Sequence, residues 1–302
     1  MKRKVLAALL CVTTVVTMGL TGCGKSSTDT GAGSASDGVG SATTDKVLRV
    51  GIECAYAPYN WTQEEETVAN GDKAVKIANA DGYAYGYDVK VAQMIADELG
   101  WDLEIYKSEW SSIFMGLENK TWDCVMSGFC YSEERDQTYD FTTTYYPRTI
   151  KAVVRDDAEW NGITKLSDFE GKKAKVTTQM GTNYVPYKDE VPGGESVTDY
   201  ETSSECFMAV QNKTADIVIL DRTTCQSALA TMEGLKMLEL DASDDFVAPE
   251  GTTNDCCIAF RESDSLRDTI QDAMDSMGWT TDNADQMNSL MDEMLTLQPS
   301  SN

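Results

Sequence analysis

Residues 86–107 read GYDVKVAQMIADELGWDLEIYK. Val91, Met94, Ile95 and Leu99 recur at helical spacing, Asp88 stands where a capping carboxylate belongs, and Gly100 stands where such a helix stops. A short β-type run, Leu103–Tyr106, follows at once. The same alternation extends in both directions. Strand-like runs at Leu48–Ile52, Asp123–Met126, Ala152–Val154, Ala174–Thr177, Asp216–Leu220 and Cys257–Phe260 are interleaved with helical patterns at 111–119, 204–212, 264–277 and 284–296. This order predicts an α/β architecture with mainly parallel sheets, which bind ligands at the carboxyl ends of their strands. Residues 62–85, TQEEETVANGDKAVKIANADGYAY, keep no sustained period and read as a surface insertion, decoration rather than a cleft flap.

With 302 residues, 41% of them hydrophobic, the chain is long enough for two domains with real cores. The formal net charge of −25 disfavours nucleic acid as a partner, because binding it needs clustered cations. No histidine occurs, which removes Ser–His–Asp triads, Cys–His pairs and His-containing zinc sites together. An acidic surface also repels anionic headgroups, so attachment to a membrane must be covalent or inserted. Lys2, Arg3 and Lys4 precede an apolar stretch from Val5 to Leu20, too short for the roughly 20 residues of a span, and residues 1–22 therefore read as a secretory signal. Residues 24–45 are Gly/Ser/Thr/Asp-rich and predict a flexible tether. Of nine cysteines, Cys11 lies in the signal and Cys23 at its end. The remaining seven are odd in number and lack CxxC spacing, so buried free thiols are expected rather than disulfides or a metal site.

The ending Leu20-Thr21-Gly22-Cys23 resembles the lipobox of bacterial lipoproteins, which implies cleavage before Cys23 and acylation of its thiol. An ordered series of segments resembles the family 3 extracellular solute-binding proteins, the polar amino-acid receptors of ABC importers. They are LRVGIECAYAPYNW (48–61), GYDVKVAQMIADELGW (86–101), WSSIFMGLENKTWDCVMSGFCYSEERDQTYDFTTTYY (110–146), LSDFEGKKAKVTTQMGT (166–182), AVQNKTADIVILD (209–221) and CCIAFRESDSLRDTI (256–270). The resemblance implies a periplasmic binding protein type II clamp with two hinge crossings. Lobe one would be residues 46–148 plus 247–302, and lobe two 149–246. It also implies a monomer without a cofactor, held by lipid on the extracellular face of the cell membrane, that delivers a small amino acid to a permease and its ATPase.

Burying an α-amino acid requires partners for both of its charges. Arg135 in SGFCYSEERDQTYDF offers a guanidinium fork for the carboxylate, as the resemblance also implies, although it could instead pair with Glu134 or Asp136 on the surface. The Met180-Gly181-Thr182-Asn183 turn offers backbone N–H groups to the same carboxylate. Asp221, at the end of a hydrophobic run, is the ammonium partner, the N-cap of a helix beginning near Thr223, or both. Gly128 and Cys130 complete that shell by resemblance; the family usually has Ser or Thr where Cys130 stands, and a thiol is a weaker partner. Glu53, Tyr56 and Trp110 match positions that line the side-chain subsite, where the two aromatics could sandwich a ligand or simply be core. Ser127 and Gln179 are further polar candidates, and Tyr59 reads as packing.

Glu53 as an anion, with Arg135 the only cation in a convincing position, predicts a cationic or amide-bearing amino acid, while Cys130 leaves cystine open. Two rival readings are a sensory module without transport and a secreted dehydratase using Glu53 or Glu205 as its acid.

Overall fold

The computed structural model describes residues 46–299; Cys23 and the 24–45 tether lie outside the described residues. Two five-stranded sheets organise the chain. The first has the order Asp102–Lys107, Val47–Ile52, Cys124–Val125, Ala259–Arg261, Tyr139–Phe141. The second has the order Glu195–Ser196, Lys175–Thr177, Ile217–Asp221, Ile150–Arg155, Leu235–Met237. The chain passes from the first sheet to the second between Phe141 and Ile150, and returns between Met237 and Ala259.

Helix Tyr87–Leu99 forms where its apolar spacing predicts, buries Val91 and Ile95, and ends at Gly100, whose φ of 63° lets its N–H bond the Ala96 and Asp97 carbonyls. It packs on the first sheet with helices Leu266–Ser276 and Ala284–Leu297, which contribute Ile270, Met274, Met287, Met291 and Met294 to one core. Helices Ser203–Gln211 and Arg222–Thr231 pack on the second sheet around Cys206, Phe207 and Cys225. Strand Ile150–Arg155 is buried at all six positions. Its two cations keep their charged ends paired, Lys151 with Glu239 at 2.7 Å and Arg155 with Asp216 at 3.0 Å, which is how a buried strand tolerates them.

Three expectations change. Each sheet is mixed, with two parallel and two antiparallel pairings, rather than mainly parallel. The reason is the double crossing: Ile150–Arg155 and Ala259–Arg261, the strands by which the chain enters each sheet after a passage, run antiparallel to their neighbours. Asp88 is not a cap; Gly86 holds that position, and Asp88 is fully buried inside the first turn, accepting from Asn60 Nδ2 at 2.8 Å and Tyr145 Oη at 2.7 Å. Residues 62–85 are not loose decoration. They supply strands Val75–Lys76 and Tyr83–Tyr85 to a four-stranded antiparallel sheet with Ala55–Tyr56 and Asn60–Gln63, and they bury Val68, Ala74, Ile77 and Ala84.

All seven described cysteines are free and buried. Burial pushes the Cys54 thiol up to about 12, so it behaves as a small apolar group rather than a nucleophile.

Candidate functional site

The parallel strands of both sheets end on one cleft. Glu53 follows Val47–Ile52, Trp110 follows Asp102–Lys107, Ser127 and Gly128 follow Cys124–Val125, Gln179 follows Lys175–Thr177, and Asp221 closes Ile217–Asp221. Placement at carboxyl ends is what an open α/β sheet dictates for a ligand crevice. Nine of the eleven candidates line a single cavity: Tyr56, Trp110, Ser127, Gly128, Cys130, Arg135, Gln179, Thr182 and Asn183. Glu53 joins it through its contact with Gln179, and Asp221 through Tyr56 and Tyr184. The cavity measures about 10 Å³, roughly the room for one water.

Hydrogen bonds between segments connecting strands of the first sheet and the segment after Lys175–Thr177 in the second cross the cleft. Trp110 Nε1 donates to the Met180 carbonyl at 2.7 Å, and Arg135 Nη2 to the Gly181 carbonyl at 2.8 Å. Arg135 also donates from Nη1 to the Cys130 carbonyl at 2.8 Å and stacks 4.0 Å from the centre of the Phe129 ring. It is half-buried and free of the surface pairing with Glu134 or Asp136 that its sequence neighbours allowed. Asn183 spends its amide on the Tyr131 and Thr253 carbonyls at 2.9 and 3.0 Å, and the Thr182 hydroxyl donates within its own turn to Gln179 at 2.7 Å, so both side chains shape the cleft wall. Gly128 has a φ of 59°, and a β-carbon there would come within 2.7 Å of the Tyr56 ring, so only glycine fits.

Asp221 is completely buried and accepts five bonds. Tyr59 Oη (3.0 Å) and the Thr224 N–H (3.0 Å) reach one oxygen; Tyr56 Oη (2.8 Å), Tyr184 Oη (3.2 Å) and Thr224 Oγ1 (2.6 Å) reach the other. It therefore caps helix Arg222–Thr231 and faces the cleft at once. Tyr59, expected to be mere packing, is one of its donors.

Two features revise the electrostatic picture. Glu53 is buried, one of its oxygens has no partner among the described residues, and Gln179 Nε2 stands 3.5 Å from the other. Burial, with Glu201, Glu109 and Asp88 nearby, pushes its carboxyl up to about 8, so at neutral pH it is mainly protonated rather than the anion the sequence implied. The second is Arg148, which the sequence reading passed over. Its side chain is 1% exposed, lines the same cavity, and lies 3.9 Å from Asp221. The local signal was a lone cation in YYPRT, immediately before a wholly buried strand at a chain crossing. Tyr184 was also missed. Glu205 lies elsewhere, its carboxylate closing a capping box with Thr202.

The sequence profile of the bacterial extracellular solute-binding proteins, family 3, matches residues 48–285. The arginine-binding extracellular protein ArtP of Bacillus subtilis is 25% identical over 89% of this chain and 91% of its own. The L-cystine-binding protein TcyJ of Escherichia coli K12 is 29% identical over 58% of this chain and 59% of its own. Among solved structures, an amino-acid ABC transporter substrate-binding protein from Streptococcus pneumoniae bound to L-arginine superposes with a TM-score of 0.65 at 21% identity, covering 84% of this chain and 95% of that one. The ancestral amino-acid-binding protein AncCDT-1, a precursor of cyclohexadienyl dehydratase, superposes at 0.64 with 22% identity, covering 83% and 96%. The likeness is to two-lobed binding proteins, and the two curated relatives are binding proteins rather than enzymes. Among the described residues, no helix is long and apolar enough to cross a membrane.

Proposed function

The chain belongs to family 3 of the bacterial extracellular solute-binding proteins, and on that premise we propose that its cleft captures a polar α-amino acid for delivery to an ABC permease and ATPase. The observation that carries this reading is the convergence of Arg135 and Asp221, the two groups suited to an α-carboxylate and an α-ammonium, on one closable cleft. In this reading residues 46–148 with 247–302 form one jaw and 149–246 the other. Because the cavity admits about one water, the jaws must part for a ligand to enter. A dehydratase reading would need a second catalytic group beside Glu53, and Glu205 is occupied as a cap.

Thermal-shift and calorimetric screening of the full chain against the twenty amino acids tests the reading. A ligand at a hundredfold excess over its dissociation constant should stabilise the protein by about 2.7 kcal/mol; silence from all twenty would overturn it. We further propose that a lipid on Cys23 holds the receptor on the outer face of the membrane. With an acidic chain the acyl carbons must supply the attachment, at roughly 0.8 kcal/mol per buried methylene. Cys23→Ser should release the protein into the medium, and retention on membranes would refute the anchor.

A further inference from the structure

Arg148 is an unusual buried cation because its acceptors are poor. Nε donates to the Asn254 carbonyl at 2.6 Å, a bond of full strength. Nη1, however, meets only the Tyr56 hydroxyl at 3.4 Å, and Nη2 meets the thiol of Cys130, a weak acceptor. Asp221 is 3.9 Å away and already accepts from five donors, so it supplies field without a close fork. The rings of Tyr59 and Tyr184 flank the guanidinium at 5.6 Å each and hold it facing the cavity.

We propose that Arg148 sets the ligand's charge: among polar amino acids the cleft selects one with an acidic side chain. This rests on the amino-acid reading above. The residues lining the cavity include two cations, Arg135 and Arg148, and no carboxylate; Asp221 lies behind them, 3.9 Å from Arg148, and the buried Glu53 carboxyl resists ionisation. The lining is therefore positive in character, which a ligand of net charge −1 offsets and a cationic ligand aggravates. A side-chain carboxylate also gives the Nη atoms of Arg148 the strong acceptor they lack. A cationic preference loses support on both sides, because Arg148 is a second cleft cation and burial disfavours the Glu53 anion. The acidic exterior slows the approach of an anion, but its field is screened over about 8 Å at physiological salt and does not reach far into a closed cleft.

Calorimetry on the full chain with glutamate, aspartate, glutamine, arginine and lysine tests this, using wild type, Arg148→Gln and Arg148→Lys, with melting curves to verify folding. Wild type should bind glutamate or aspartate at least tenfold more tightly than glutamine, arginine or lysine. Arg148→Gln should erase the glutamate-over-glutamine ratio, and Arg148→Lys should keep part of it. Tighter wild-type binding of arginine, lysine or glutamine would overturn the inference while leaving the receptor reading intact, as would an unchanged ratio in folded Arg148→Gln. If no amino acid binds, the receptor reading fails and the inference with it. If neither variant folds, the wild-type order alone decides.

Discussion

Glu53→Gln should make the protein more stable, increasingly so as the pH rises. Glu53 is 4% exposed, one carboxyl oxygen has no partner among the described residues, and burial moves its ionisation from 4.5 to about 8. Because the folded-state value lies above the unfolded one, the folded protein holds a proton that the unfolded chain has released between about pH 4.5 and 8. Stability from this group is therefore full below pH 4.5 and is lost as the pH rises through 8, at up to about 1.4 kcal/mol per unit and at most about 5 kcal/mol in all. Glutamine preserves the shape and removes the ionisation. Asp88, whose carboxyl burial raises to about 7, follows the same sign in both proteins, so the difference between the curves reports Glu53 together with its coupling to Asp88. Urea unfolding of wild type and Glu53→Gln from pH 5 to 9 should give curves that diverge progressively above pH 5, with the variant the more stable. Parallel pH profiles, or a variant less stable at pH 8 than wild type, would refute the burial argument.

Asp221→Asn should cost about 3–5 kcal/mol, because it strips the charge from five bonds and leaves Arg148 without its nearest anion. A fall in Tm of less than about 4 °C would contradict that size. Arg135→Ala should abolish measurable binding of whichever amino acid the wild type takes, with a modest fall in melting temperature for the loss of its two carbonyl bonds and its Phe129 stacking. Arg135→Lys should also bind poorly, because an ammonium cannot form the fork; wild-type affinity in either variant would remove Arg135 from the site. Cys130→Ser should satisfy Arg148 with a hydroxyl in place of a thiol, raising unliganded stability by about 1 kcal/mol and weakening the ligand several-fold; tighter binding in calorimetry would mean that Arg148 does not meet the ligand.

Local rules reached far into this fold. The period of Val91, Met94, Ile95 and Leu99 and the stop at Gly100 are properties of one helix, and the structure keeps them. The strand-end position of Asp221 follows from the apolar run before it; Gln179 and Ser127, named in the sequence only as further polar candidates, also follow strands. What the sequence hid depends on distant partners. The short strands Val75–Lys76 and Tyr83–Tyr85 have too few residues to display a period, and they are held by one another and by an isolated bridge from Ile77 to Ile105. Asp88 carries the chemistry of a cap, yet Asn60 and Tyr145, brought in from other elements, give it better partners inside the fold. Glu53 reads as an anion until its burial is known. Arg148 is invisible as a cleft residue because its direction is set by the crossing, where its backbone N–H is fixed by Asp255 at 3.0 Å and Nε by Asn254.

The same internal contacts decide what binding must accomplish. A cavity of about 10 Å³ has no room for an amino acid, so each ligand contact replaces one the protein already makes. An α-ammonium reaching Asp221 displaces a tyrosine hydroxyl, and a carboxylate taking the Arg135 fork displaces the Cys130 or Gly181 carbonyl. Exchanges of this kind are nearly balanced, since each trades one charge-assisted bond for another. The guanidinium end of Arg148 stands apart, because a thiol and a distant phenol are all that it surrenders. On the proposed reading, selectivity should therefore concentrate at the one site where the protein's own groups are the poorest substitutes for a ligand, with Arg135 and Asp221 left to orient it.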